Sequence, residues 1–323
     1  MHSLIRDIFL RHFKGEILNK LDDSAILAKI SEKYTVSFTT DSYTVNPLFF
    51  PGGDIGKLAV CGTVNDISVT GAEPLFLSCS VIVEEGFETA ALEKVAESMS
   101  KTAKQAGVEV VTGDFKVVEK GKMDRLFINT AALGVSEKGV ETGINLIKPG
   151  DMVIINGYMG DHELAVLLAR GDFSIKSDIK SDCAPLNGLI QNILRKSPGG
   201  IRFMRDPTRG GVATTLNEIA GNASFGICLY EKEIPVREES AALCEMLGFD
   251  PLYLANEGKV IIISSKEAAG GILSEMKKHR YGKNSRIIGE VVGQPSGRVI
   301  LNTAAGSRRI VDMLSGSQLP RIC

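Results

Sequence analysis

Three carboxylates, Asp41, Asp66 and Asp114, are the residues whose settings most plainly offer chemistry. Asp41 follows a strand-like run over 34–40, in Thr39-Thr40-Asp41-Ser42. Asp66 sits beside Asn65 inside an otherwise apolar helical stretch, 55–70, where a polar pair is costly to bury without partners. Asp114 follows the strand-like run 108–112, with Gly113 before it and Lys116 two residues on. Carboxylates suit magnesium, which takes oxygen ligands while substrate phosphates complete its shell. Lysine suits phosphate as a point charge. The expectation is that the three acids, separated in sequence but each near an element end, converge on one magnesium–nucleotide.

The second half offers a clamp for an oxyanion. In Met204-Arg205-Asp206-Pro207-Thr208-Arg209-Gly210-Gly211 a strand end, an acid, a proline and two glycines lead into a helix over 212–222. The proline fixes the turn, the glycines admit close backbone approach, and Arg209 can hold an oxyanion. Asp206, Thr208, Arg209 and Gly210 are the candidate nucleotide contacts, with Asn65 and Gly113 from the first half. Ala255-Asn256-Glu257-Gly258-Lys259 precedes an apolar strand over 260–264, so Glu257 reads as ligand, general base or turn carboxylate. Gly157-Tyr158-Met159-Gly160-Asp161-His162 leads into a further helix. Glycines there leave N–H groups for an anion, and His162 beside a phosphate would act as donor or acid.

Pro51-Gly52-Gly53-Asp54-Ile55-Gly56-Lys57 suggests a phosphate loop, but its spacing is shorter than G-x-x-x-x-G-K-[ST] and Leu58 follows Lys57. No G-x-G-x-x-G occurs either, so a nucleotide site must be of another kind. The chain ends in Leu319-Pro320-Arg321-Ile322-Cys323 after a small polar run, 315–318. A thiol on such a tether can be carried into a pocket and out again.

The rest of the chain must position these groups. Hydrophobic residues make up 44% and charged residues 24% of 323, enough for a sizeable core and two domains, divided just before Lys148-Pro149-Gly150-Asp151. A net charge of −2 gives no nucleic-acid footprint. No apolar run approaches the ~20 residues that span a bilayer, and no secretory leader is evident. The six cysteines are scattered without C-x-x-C, which fits a reducing cytoplasm and leaves Cys323 free as nucleophile or carrier. Pattern predicts helices over 4–13, 88–106, 185–196 and 267–278, and strands over 25–30, 74–84, 126–135, 152–156, 286–293 and 298–301.

Together, Thr40-Asp41-Ser42, the run 50–57, Val64-Asn65-Asp66, Thr112-Gly113-Asp114, Gly160-Asp161-His162, the run 206–211, Asn256-Glu257-Gly258 and the Pro320-Arg321-Ile322-Cys323 terminus resemble the HypE family. These are hydrogenase expression/formation proteins of the PurM-like, AIR synthase-related superfamily. The resemblance covers essentially the whole chain. It implies an α/β (α+β) fold of two PurM-like domains, 1–147 and 148–312, and a flexible tail, 313–323. The N-terminal domains would pair as a homodimer through a β-barrel, and the second domain would be an α/β sandwich.

The resemblance also implies a reaction. A HypF carbamoyltransferase would load a carbamoyl group onto Cys323. ATP would drive its dehydration to a thiocyanate, and the cyano group would pass to iron on a HypC–HypD scaffold for [NiFe]-hydrogenase. On that scheme Asp41, Asp66 and Asp114 hold Mg2+ against ATP. Lys57, Lys116 and Arg209 neutralise phosphoryl charge, and Glu257 or His162 is the base. Phe115 and Glu163 depart from the family pattern, where a small polar residue and a glycine are expected. Selenophosphate synthetase is a rival that needs a reactive cysteine near the N-terminus, whereas Cys61 is the first here. Thiamine-phosphate kinase does not need the cysteine tail, and an inert docking protein has no need for the acids. Prenylation fails because the cysteine is last.

Overall fold

The computed structural model describes residues 24–27, 33–137, 139, 142–171, 173 and 175–314. The helix expected over 4–13 and the tail 315–323, with Cys323, lie outside the described residues.

The first half forms a five-stranded sheet and two helices. In chain order these are Ala25–Leu27 (β1), Tyr34–Tyr43 (β2), the short hairpin Phe49–Phe50 (β3) and Gly53–Asp54 (β4), then Ile55–Val69 (α1), Glu73–Glu84 (β5), Thr89–Ala106 (α2), Glu109–Val118 (β6) and Leu126–Glu137 (β7). The sheet order is β1-β2-β7-β5-β6. Helix α1 is apolar nearly all round, and such a helix must be covered on every side. All of its 15 residues are buried except Lys57 and Asp66. One side lies on β2 and β7, and α2 packs beside it. The rest is covered by Asn187–Lys196 and Ile201–Arg205 of the second half.

The second half is a seven-stranded sheet covered on both faces. Its elements are Met152–Ile155 (β8), Asp161–Ala169 (α3), Asn187–Lys196 (α4), Ile201–Arg205 (β9), Gly211–Ala220 (α5), Gly226–Tyr230 (β10), Glu238–Leu247 (α6), Ile261–Ser264 (β11), Lys266–Lys278 (α7), Arg286–Val292 (β12), Val299–Asn302 (β13) and Arg308–Val311 (β14). The order is β14-β13-β10-β12-β8-β11-β9. Side chains alternate across a strand. Ile261 and Ile263 therefore join Val212, Leu216 and Ile219 of α5 in one core. Ile262 joins Ile190 of α4 and Ile272 of α7 in the other. A sheet buried on both faces explains the unbroken apolar runs in its strands.

Two sequence expectations change here. Asp41 and Asp114 were placed beyond strand ends, but both lie inside strands, because the 12-residue strands β5 and β7 extend the ladder past them. The strand-forming Tyr43 and Val117-Val118 continue the pattern. Pattern also passed over β10, α6 and β14, which are short and lie among polar or glycine-rich turns.

Residues 175–186, before α4, have no regular structure and run between the two halves. Ser181 N donates to Pro51 O at 2.8 Å. Asn65, at the buried end of α1, completes the join. Its Nδ2 donates to Ala184 O at 3.1 Å and Glu257 O at 3.4 Å, and its Oδ1 accepts from Leu186 N at 2.8 Å. Asn65→Ala strips partners from three buried backbone groups of the second half and removes the tie between the halves. It should lower unfolding stability by about 2–4 kcal/mol, read by urea denaturation.

Candidate functional site

Asp66 is one of the two α1 residues that escape burial. Its Oδ2 accepts from Thr39 Oγ1 at 3.2 Å. Thr39, Asp41 and Tyr43 alternate onto the α1 face of β2, so Asp41 and Asp66 share one side of the sheet. Buried Tyr43 bonds Thr63 Oγ1 at 3.0 Å. Its phenol sits well above the usual range, first from burial and then from the charges of Asp41 and Asp66.

Glu257 reaches the same place from the second half. Burial holds its carboxyl well above the usual range, and Cys183, Asp206, Asp182 and Asp41 push it further. Carboxylates from both halves thus feel one another. The loop under Glu257 is closely fixed. Asn256 donates from Nδ2 to Pro207 O at 3.1 Å and Leu254 O at 3.0 Å, and its Oδ1 accepts from Gly160 N at 2.9 Å. The Asp206-Pro207-Thr208 turn and the Glu257 loop are therefore one unit. Gly211 has φ +60°, and a Cβ there would lie 2.5 Å from Leu254 O. A Cβ on Gly258 would lie 1.9 Å from Asp182 O. Both glycines are required by backbone approach.

Asp182 escaped the sequence reading. It lies in an aperiodic stretch, where a lone acid carries no signal. Its Oδ1 accepts from Glu257 N at 3.0 Å and its Oδ2 from Lys259 Nζ at 2.7 Å. Burial drives its carboxyl up, but the Lys259 and His162 charges and these hydrogen bonds outweigh it and hold it below the usual range.

The remaining candidates sort by geometry. The 51–57 run is no phosphate cradle, because Asp54 Oδ1 takes the N–H groups of Gly56 and Lys57 at 2.8 and 3.1 Å. Lys57 Nζ donates to Gly52 O at 2.8 Å. The Gly160 N–H, expected to meet an anion, is bonded to Asn256, and Asp161 is held by Arg237 and Ser240, each at 2.7 Å. Glu163, at a departure from the family pattern, accepts from Ala255 N and so pins the same loop. His162 is fully buried, 2.8 Å from Ser181 Oγ through Nδ1, with Phe50 edge-on at 5.6 Å. Burial lowers its pKa to about 4, so the ring is neutral at physiological pH. Thr208 and Arg209 lie on the Asp206 turn before Gly210, the cap residue of α5.

Asp114 does not join Asp41 and Asp66 within one chain. The paired row Ser42–Asn129–Ser80–Asp114 faces away from α1, whereas Asp41 faces it. The strands β2 and β6 are also three spacings apart, roughly 14 Å. Lys116 shares the Asp114 face, and Gly113 pairs with Cys79 on the other. Among the described residues no group of three acids, histidines or cysteines is placed to hold a metal. The three-carboxylate centre expected from sequence is thus incomplete in a single chain.

A buried Glu held above its ordinary range keeps its proton in the folded state and loses it in the unfolded one. Its stabilisation is present at acid pH and is lost as pH rises toward the folded pKa. Glu257→Gln should therefore raise the melting temperature of the nucleotide-free protein, with a gain that grows from pH 5 to pH 8. A gain that shrinks with pH would contradict the assignment.

The AIR synthase related protein N-terminal domain model matches residues 21–136, and the C-terminal domain model matches residues 148–302. The chain is 46% identical to a carbamoyl dehydratase HypE of Rhodobacter capsulatus, over 100% of this chain and 95% of that one. It superposes with a TM-score of 0.91 on a chain of a HypE–HypF complex crystal structure, at 49% identity, covering 97% of this chain and 100% of that one. Against a hydrogenase maturation protein HypE crystallised with ATP, the TM-score is 0.85 at 46% identity, covering 100% and 96%. Motifs, fold and full-length similarity agree, and the chain belongs to the carbamoyl dehydratase HypE family of AIR synthase-related proteins.

Proposed function

We propose that this protein is an ATP-dependent carbamoyl dehydratase of [NiFe]-hydrogenase maturation, acting in the cytoplasm on its own carbamoylated Cys323. The observation that carries the reading is the Glu257 loop, bonded through Asn65 to the helix that bears Asp66 and through Asn256 to the Asp206-Pro207-Thr208 turn. The relatives named above bear the activity, an ATP complex and a HypF complex in their descriptions.

An amide oxygen is a poor leaving group. In the proposed reaction it attacks the terminal phosphoryl group of ATP, and ADP departs. The N–H protons are then lost, the C–O bond breaks, phosphate leaves and S–C≡N remains on Cys323. Asp41 and Asp66 supply hard oxygens on one side of the cleft, a donor set that fits Mg2+. The ion supplies charge neutralisation across the phosphates when bound. Thr208 and Arg209, on the turn tied to Asn256, would meet phosphoryl oxygens, and Lys57 would add positive charge. Glu257 is the better base. Its raised pKa makes its carboxylate a strong acceptor once positive charge enters the cleft, whereas His162 is sealed under the loop with a pKa near 4.

A second subunit completes the site in this reading. Strand β6 is exposed along nearly its whole length. Phe115 and Val117 on it are 52% and 55% exposed, and Phe38, Phe76 and Ile82 lie exposed on the open sheet. A long apolar edge strand is a template for pairing. A homodimer through this face would close the barrel and bring the partner's Asp114, Lys116 and Gly113 to the nucleotide. HypF would load the tail and a HypC–HypD iron scaffold would receive the cyano group.

Cys323→Ala should retain ATP binding and give no thiocyanate on the C-terminal peptide after incubation with HypF, carbamoyl phosphate and ATP, read by mass spectrometry. Normal thiocyanate formation elsewhere on the chain would overturn the carrier role. Subunit sharing has its own test. Asp66→Asn and Asp114→Asn should each be inactive alone. After random subunit exchange the mixture should recover about a quarter of wild-type turnover, because half the dimers carry one intact shared site. No recovery would place both acids in one subunit's site.

A further inference from the structure

A cavity of about 260 Å³ opens beside the Glu257 loop and is lined by neither Glu257, Asp41, Asp66 nor Asp206. It is strongly cationic. Lys180, Arg237, Lys259, Arg280 and Lys283 face it against Asp161 and Asp182. Arg237 is paired with Asp161 and Lys259 with Asp182, both at 2.7 Å. Lys180, Arg280 and Lys283 are exposed and have no carboxylate partner among the described residues. Arg280 instead lies over the Tyr281 ring at 4.4 Å, and Arg237 over Tyr158 at 4.5 Å. These stacks hold two guanidinium groups in place at the walls.

The floor of the cavity is built. Lys259 is only 8% exposed. Its ammonium has three protons. Asp182 Oδ2 takes one at 2.7 Å and Gly258 O another at 3.3 Å. The third is left for a ligand. Three unopposed cations around one void repel one another, and a multiply charged anion relieves that repulsion. Planar guanidinium forks and ammonium groups together suit phosphate oxygens. By the measure in which one water needs about 10–15 Å³, the space exceeds what a single orthophosphate fills.

We propose that this cavity is a second anion site, separate from the acidic cleft, which takes a diphosphate group: free pyrophosphate or the diphosphate end of a nucleotide. The site does not depend on the dehydratase reading. It does share Asp182 with the loop that carries Glu257, so occupancy changes the charge next to that loop.

The test is isothermal titration of the full chain with pyrophosphate in EDTA at fixed ionic strength. Without a divalent cation the acidic cleft repels anions, which isolates the second site. Saturable binding to one site per chain is expected, with orthophosphate and sulfate weaker. The double variant Arg280→Glu/Lys283→Glu should lose about tenfold or more in pyrophosphate affinity. Its affinity for Mg–ATP should be unchanged, and Lys180→Glu should behave likewise. ADP in EDTA separates the two sources: binding tighter than pyrophosphate identifies a nucleotide, weaker binding the free diphosphate. Absence of saturable binding, equal affinity for sulfate, or binding that survives the charge reversals would overturn the proposal.

Discussion

A buried backbone amide or carbonyl must find a partner. Around Glu257 that requirement is met largely by three asparagine side chains. Asn65 takes the carbonyl of Glu257 and two groups of the 184–186 segment. Asn156 takes Gly258 O at 3.0 Å, Tyr281 O at 2.9 Å and Val260 N at 2.8 Å. Asn256 joins the loops at 160, 207 and 254. A primary amide has two donors and an acceptor with two lone pairs, so one side chain can pair several loop groups at once. Among the described residues, every loop that bears a candidate site residue of the second half passes through one of these hubs.

This rigidity lets the protein hold an unfavourable electrostatic arrangement. Glu257 is kept buried among other acids, and His162 is kept neutral against Ser181 and Phe50. Neither state would survive in a loose loop, where the groups would relax toward water. The Asp182–Lys259 pair sits at the junction, accepting the Glu257 N–H with one oxygen and the ammonium with the other. A buried ion pair of this kind contributes little net stability, but removing either member strands the other charge. Its place argues for orientation of the loop.

Much of this was legible in the sequence, because local chemistry was distinctive. Asp206-Pro207-Thr208-Arg209-Gly210-Gly211 and Asn256-Glu257-Gly258 stand out as dense turns, and the structure bonds them to each other. Asp66 stood out because an acid inside an apolar helix needs a reason, and α1 leaves it uncovered. The errors have physical causes too. The 51–57 run has the glycines and lysine of an anion loop without its spacing, and Asp54 occupies the helix N–H groups that such a loop would offer. Asp114 read as a neighbour of Asp41 within one chain because strand ends can be guessed while sheet order and facing cannot. Asp182 was invisible because its role depends on contacts 75 and 77 residues away.

Helix α1 also has a bearing on biosynthesis. It belongs to the first half in sequence, yet part of its surface is covered by α4 and β9 of the second half, and Val69 lies in a core with Leu186, Leu189 and Ile190. A ribosome releases α1 long before those residues. For that interval the nascent chain carries a greasy rod with one flank bare, an interval in which chaperone capture competes with folding.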